Sequence, residues 1–211
     1  MAYVLGFFAA DGYITVNRRG GQFWCIQITD KKLLEQIKVA IQAEHKISAR
    51  LGQGDEKTLY RLQIGSIEMC DDLRRLGFTE RKTKNLVIPN VPNKYFLHFV
   101  RGYFDGDGNI WLGRIHKDRK IAPFVLSLAF TSGAHQFLQD LKQKFGDLGI
   151  IGGSIYKSKA NYSRLQFSTV NALKLSNFMY NQGVLRKEDL FLARKRRVFD
   201  KFRLLKKADV V

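Results

Sequence analysis

Cysteine and proline are both scarce: the 211-residue chain has two of the first and three of the second. Two cysteines are too few for a disulfide framework or a Cys-rich zinc site. Cys25 falls in a strand-like run and Cys70 in a helix-like one, and both read as reduced residues in or near the core. The four histidines (His45, His98, His116 and His135) have no HExxH or CxxC partner and read as non-ligands. No stretch approaches the roughly 18 consecutive apolar residues of a membrane span. The opening MAYVLGFFAA is apolar, but no basic residue precedes it and it is shorter than a complete secretion signal. The expected setting is soluble and intracellular: cytoplasm, nucleoid or an organelle matrix.

Acids are the other shortage. Thirty-six Lys and Arg face 19 Asp and Glu, a formal charge of +17. Self-repulsion on that scale costs stability and is kept where a polyanion is bound, which points to nucleic acid. With 45% hydrophobic and 12% aromatic residues, there is enough apolar material for one ordinary domain or two small ones sharing a core.

The chain repeats itself. YVLGFFAADGYI (3–14) returns as FVRGYFDGDGNI (99–110), an offset of 96. Thr29 returns as Thr131, Arg61-Leu62-Gln63 as Arg164-Leu165-Gln166, and Arg81-Lys82 as Arg186-Lys187, so the offset drifts only to 105. Small loop insertions in the second copy account for the drift.

Each copy reads as helix, two strands, helix, two strands, helix. The first helices (2–10 and 95–106) end at Asp-Gly, where glycine suits a left-handed helix end. Alternating strands follow at 13–18 with 22–29, and at 109–116 with 124–131. Helices at 31–44 and 133–147, strand pairs within 47–64 and 151–168, and helices at 66–76 and 170–181 complete the copies. Lys84–Tyr95 holds Pro89 and Pro92 and reads as the linker. The expected division is a first repeat at 1–83, a linker at 84–95 and a second repeat at 96–211. The second repeat ends in a basic helix at about 186–207.

The repeat singles out two acids. Asp105 has Ala9 at its place in the first copy, whereas Asp11 and Asp107 occur in both. A carboxylate at a helix C-terminus faces the negative end of the macrodipole, which is unfavourable by up to about 1 kcal/mol. A divalent cation would reverse that sign. Gly6 and Gly102, mid-helix, each cost about 1 kcal/mol relative to Ala. That cost is reasonable where two helix backbones must approach closely.

VLGFFAADG and VRGYFDGDG together resemble the paired signature of the LAGLIDADG homing endonucleases, in their single-chain two-motif form. The first copy departs from the pattern at Ala9; the second is close. The RK pairs and the IPNVP-type linker add to a resemblance that covers almost the whole chain.

The resemblance implies an α+β fold of two pseudo-symmetric αββαββα repeats. Their antiparallel strands would form a saddle over the DNA major groove, with the motif helices paired at the interface. It implies a monomer that makes a staggered double-strand cut at a long site. Asp11 and Asp107 would bind metal, expected to be Mg²⁺, with Ca²⁺ able to occupy the site without turnover. Lys82 and Lys187 would act near the scissile phosphates, and Asp30 and Ser132 would help order water. An RNA-splicing maturase, partnered with intron RNA, and a non-cleaving DNA-binding regulator are the alternatives on the same scaffold. The final ADVV lacks the His-Asn end expected of a splicing domain, and the start close to the first motif suits a trimmed or excised domain.

Strand alternation nominates the residues that face DNA. In the first half they are Thr15, Asn17, Arg19, Gln27, Arg50, Arg61 and Gln63. In the second they are Trp111, Lys117, Ser127, Lys157, Lys159, Tyr162, Arg164 and Gln166. Arginine suits guanine and glutamine adenine, while the remaining basic residues suit phosphate.

Overall fold

The computed structural model describes residues 1–80, 82–116, 118, 122–158, 160–181 and 189–208. Lys117, Lys159 and Lys187, nominated above, lie outside them. The chain divides into two compact units, Met1–Gly106 and Asp107–Val211.

The first unit begins with α1 (Ala2–Asp11), then β1 (Gly12–Val16), β2 (Gln22–Ile28), α2 (Lys31–Ala40), β3 (Ser48–Arg50), β4 (Leu59–Gly65), α3 (Ile67–Arg75) and the short α4 (Lys82–Asn85). It closes with α5 (Asn93–Asp107), whose last residue opens the second unit. The four strands form an antiparallel sheet in the order β1-β2-β4-β3. The pairings Ile14↔Trp24↔Ile64 and Ile26↔Leu62 lay one apolar face beneath α2 and α3. Phe8 of α1 meets the rings of Trp24 and Phe78 edge-on at 5.9 and 5.5 Å. Residues Tyr3, Val4, Phe7, Phe8 and Ala9 are all buried, so α1 is apolar on every side because every side is covered.

The second unit repeats the plan with β5 (Gly108–Arg114), β6 (Phe124–Ser132), α6 (His135–Asp147), β7 (Ser154–Lys157), β8 (Ser163–Phe167), α7 (Thr169–Tyr180) and α8 (Ala193–Ala208). Its antiparallel order is β5-β6-β8-β7. Ile110↔Leu128↔Phe167 and Phe130↔Leu165 line the covered face. There Phe130, Phe145 and Phe167 pack as a triad with centroids 5.4–6.5 Å apart.

Three details depart from the sequence expectation. Gly12 is extended (φ −87°, ψ 160°) instead of left-handed, because the chain passes from α1 straight into β1. A Cβ at Gly12 would strike the Phe8 ring, so close packing accounts for the glycine. Helix α2 stops at Ala40, four residues early. Gln42 takes the left-handed position (φ 55°), Gln42 N–H donates to Val39 O, and Ala43 N–H donates to Lys38 O at 3.0 Å. These two bonds form a Schellman end without glycine. Val16 shares the core-facing side of β1 with Ile14 but ends an edge strand, and it is exposed.

Candidate active site and nucleic-acid interface

The first unit packs α1 against α5 through its two mid-helix glycines. A Cβ on Gly6 would fall on the carbonyl oxygen of Phe99, and one on Gly102 would fall on the carbonyl oxygen of Tyr3. The contact is reciprocal and backbone to backbone, so no side chain can yield to relieve it. Further along, a Cβ on Gly106 would strike the Ala10 methyl group and come within 3.0 Å of the Asp11 Oδ2. The C-terminal turns of the two helices are therefore also in close contact, there backbone against a methyl group.

Asp11 is the last residue of α1 and half-buried. Beside it lies Lys82, 8% exposed, which donates from Nζ to the carbonyls of Ala9 at 2.6 Å and Ala10 at 3.0 Å. These are carbonyls of the last helical turn, and an ammonium there offsets the negative end of the dipole.

The corresponding acid in the second copy, Asp107, is exposed and is the last residue of α5. At the next residue, Lys195 donates from Nζ to the Gly108 carbonyl at 2.6 Å, and it is 5% exposed. Sequence reading missed Lys195 within the RKRR run. The signal was available: Leu192, Lys195, Phe199 and Phe202 are all buried at helical spacing, so this lysine occupies a core-facing position of α8.

The other motif acid, Asp105, is 1% exposed and accepts a 2.8 Å bond from the Tyr3 hydroxyl. Arg101, fully buried, sits 5.5 Å over the Tyr3 ring and bonds His98 Nδ1 at 2.9 Å. Asp105 thus takes part in joining α5 to α1. Asp30 caps α2, its Oδ1 accepting from Leu33 N–H at 3.0 Å. Ser132, buried at the end of β6, accepts from Ala134 N–H at 3.1 Å.

The uncovered face of each sheet carries the nominated polar residues. In the first unit one cross-strand row is Gln27–Arg61–Ser48 and the next is Tyr13–Cys25–Gln63. Thr15 flanks them on β1 and Arg50 on β3. Asn17 and Arg19 lie in the β1–β2 turn, where Asn17 Oδ1 accepts from the amides of Arg19 and Gly21. The second unit has the rows Thr131–Arg164–Tyr156, Asn109–Ala129–Gln166–Ser154 and Trp111–Ser127. Lys157 ends β7, and Tyr162 is half-buried in the turn before β8.

Tyr13 and Cys25 were not nominated, although alternation places them on this face. Burial raises the Tyr13 hydroxyl pKa and the neighbouring Cys25 adds to the rise, against the Arg61 guanidinium. Burial likewise raises the Cys25 thiol, with Tyr13 and Arg61 opposing.

Among the described residues no group of three or more His, Cys, Asp or Glu could hold a metal ion. Asp11 and Asp107 are each a hard oxygen donor at a helix end. That donor set fits Mg²⁺, which takes one or two carboxylates and completes its octahedron with phosphate and water oxygens. No helix of the described residues is long and apolar enough to cross a membrane.

Residues 1–85 match the family model of the LAGLIDADG-like domain. The probable translation initiation factor IF-2 of Thermococcus kodakarensis is 35% identical over 92 residues, which is 42% of this chain and only 7% of that protein. An uncharacterized protein of Methanocaldococcus jannaschii is 21% identical over 193 residues, 90% of this chain and 69% of that one. The LAGLIDADG meganuclease I-AabMI bound to uncleaved DNA superposes with a TM-score of 0.64 at 16% identity, over 99% of this chain and 91% of that one. I-SmaMI bound to uncleaved DNA in the presence of calcium ions gives 0.63 at 13% identity, over 99% and 92%. The I-SmaMI homing endonuclease bound to cleaved DNA gives 0.65 at 14%, over 99% and 90%. Two antiparallel four-stranded sheets with their helices are the LAGLIDADG meganuclease fold.

Proposed function

We propose that this chain, LAGLIDADG-like over residues 1–85 and with the meganuclease fold over nearly its whole length, is a site-specific DNA endonuclease that depends on a divalent metal. It would act as a monomer on a long duplex target and make a staggered double-strand cut. The observation that carries this reading is the same arrangement built twice: a carboxylate on the last residue of a motif helix, with a buried lysine at that helix end. The solved structures of similar fold hold DNA, which supports the choice of substrate.

Asp11 and Asp107 would each hold a cation, together with oxygens of the scissile phosphate and water. Mg²⁺ bound there supplies Lewis-acid stabilisation of the phosphate and lowers the pKa of water. Lys82 spends two of its donors on the Ala9 and Ala10 carbonyls. It fixes the end of α1 beside Asp11; it is a positioning residue. Lys195 takes the same part beside Asp107; Lys187, expected near the scissile phosphate, lies outside the described residues. Asp30 and Ser132, both engaged in local caps, are proposed to order water only through the groups they hold in place. Exposed basic residues would meet the phosphates, giving affinity that falls steeply with salt.

The test is selection by cleavage. A randomised duplex library is incubated with the protein and Mg²⁺, and new ends are captured and sequenced beside an Asp11→Asn, Asp107→Asn double variant. Defined staggered ends that vanish in the double variant are expected. Enrichment by binding with no ends would overturn the nuclease reading, and RNA substrates would then be tried in the same format.

A further inference from the structure

We infer that the uncovered face of the second sheet holds a guanine-reading subsite built on Arg164, beside a second subsite in which Gln166 reads adenine. The inference rests on the DNA-cleaving reading and deepens it.

Arg164 lies on β8, an inner strand of the sheet, in the row between Thr131 and Tyr156. Its Nε is buried and has no hydrogen-bond partner among the described residues. A buried, charged donor without a partner is costly, so its retention points to a partner supplied from outside. A cavity of about 330 Å³ opens over it, lined also by Tyr156, Lys157, Tyr162 and Gln166. No carboxylate lines this cavity, so its occupant must present acceptors. Both phosphate and the guanine edge do so. Position decides between them: Lys157 sits on the edge strand β7, where a groove wall would pass, while Arg164 sits mid-sheet, facing the groove floor. Guanine offers N7 and O6 side by side, the pair that a guanidinium meets with two donors.

Gln166 is two residues along the same strand. Its Nε2 donates to Ser127 Oγ at 3.0 Å, which orients the amide and leaves its oxygen and second N–H for a ligand. A free glutamine reads adenine with both amide atoms. Held in this way it still presents one acceptor and one donor in a fixed orientation, so it selects adenine, whose N6 amino group and N7 it meets together. A second cavity of about 220 Å³, with Val125, Ser127 and Ser154 on its walls, adjoins Gln166 and receives that neighbouring base. Among the described residues the first unit shows no such device. There Arg61 is exposed and shared with Tyr13, whereas Asn109 stands at the Tyr13 position of the second sheet.

The experiment is binding selection from a randomised duplex library, with Ca²⁺ in place of Mg²⁺, for the full chain and for Arg164→Gln, Arg164→Lys and Gln166→Leu. Wild type is expected to enrich duplexes with guanine fixed at one position and adenine beside it. Arg164→Gln should lose the guanine preference, roughly 5- to 150-fold against that duplex, and Arg164→Lys should weaken it, with the rest of the motif unchanged. Arg164→Lys keeps the charge and so should keep the salt dependence, which separates base reading from phosphate contact. Gln166→Leu should relax only the adjoining position. Uniform weakening across all sequences, or an intact guanine preference in both Arg164 variants, would overturn the subsite while leaving the endonuclease reading in place. If wild type enriches no duplex, the DNA reading itself fails and the subsite with it. Thermal melting of each variant confirms that it is folded.

Discussion

The two units hold their acids by the same electrostatics but with different parts of the chain. In the first, the lysine comes from α4 and binds the two carbonyls preceding Asp11. In the second it comes from α8, and it binds the carbonyl just after Asp107. The requirement is a buried ammonium at a helix end; which element delivers it is secondary. The units also differ in charge: 16 Lys and Arg against 11 acids in Met1–Gly106, net +5, and 20 against 8 in the remainder, net +12. Each acid ends a motif helix near a buried lysine, while the surroundings differ in charge and Asp11 is half-buried where Asp107 is exposed.

The largest effect should come from the one feature that is reciprocal. Gly6→Ala and Gly102→Ala each drive a methyl group into a carbonyl of the partner helix, and each should cost about 3 kcal/mol, with equal shifts in urea midpoint. A tolerated alanine at either site would show that the approach is not mutual.

The lysines sharpen the comparison at the next scale. Lys82→Met and Lys195→Met should each slow the cutting of one strand roughly 100-fold, leaving the other strand's rate intact. Supercoiled plasmid carrying the target would then accumulate as nicked circles with both variants. Linear product at the normal rate with Lys195→Met would separate the two units and return the role to another lysine.

The smallest effect concerns Cys25, whose place in the second sheet is taken by Ala129. Burial raises its pKa above the usual 9.0, so folding favours the protonated thiol. That contribution is complete below the unfolded pKa and is lost as pH rises through the folded one. The urea midpoint should therefore fall between pH 8 and 10, and Cys25→Ala should flatten the fall. An unchanged slope would mean that the thiol does not titrate with unfolding.

Much of this was legible in the sequence because it depends on periodicity and repetition. The two motif helices, the order of elements and the alternation of Ile110, Leu128 and Phe167 all follow from side-chain spacing. Lys195 is legible only once the apolar neighbours on its helix face are aligned with it; within RKRR alone it looks like a solvated charge. The role of Asp105 depends on Tyr3, 102 residues away, which no local pattern indicates. Gly12 was misjudged because a glycine that closes a helix and one that clears a ring look alike in one dimension.

Because α5 opens the second repeat yet packs into the first unit, the N-terminal half cannot finish folding as it is made. Tyr3, Phe7 and Phe8 are buried early in the chain, but Phe99 and Gly102, which α1 must meet, are synthesised some 96 residues later. At about 5–20 residues per second, the nascent α1 waits on the order of 5–20 s with the face that α5 covers still open. During that interval chaperones, or a neighbouring nascent copy of the same helix, compete for the surface that α5 will close.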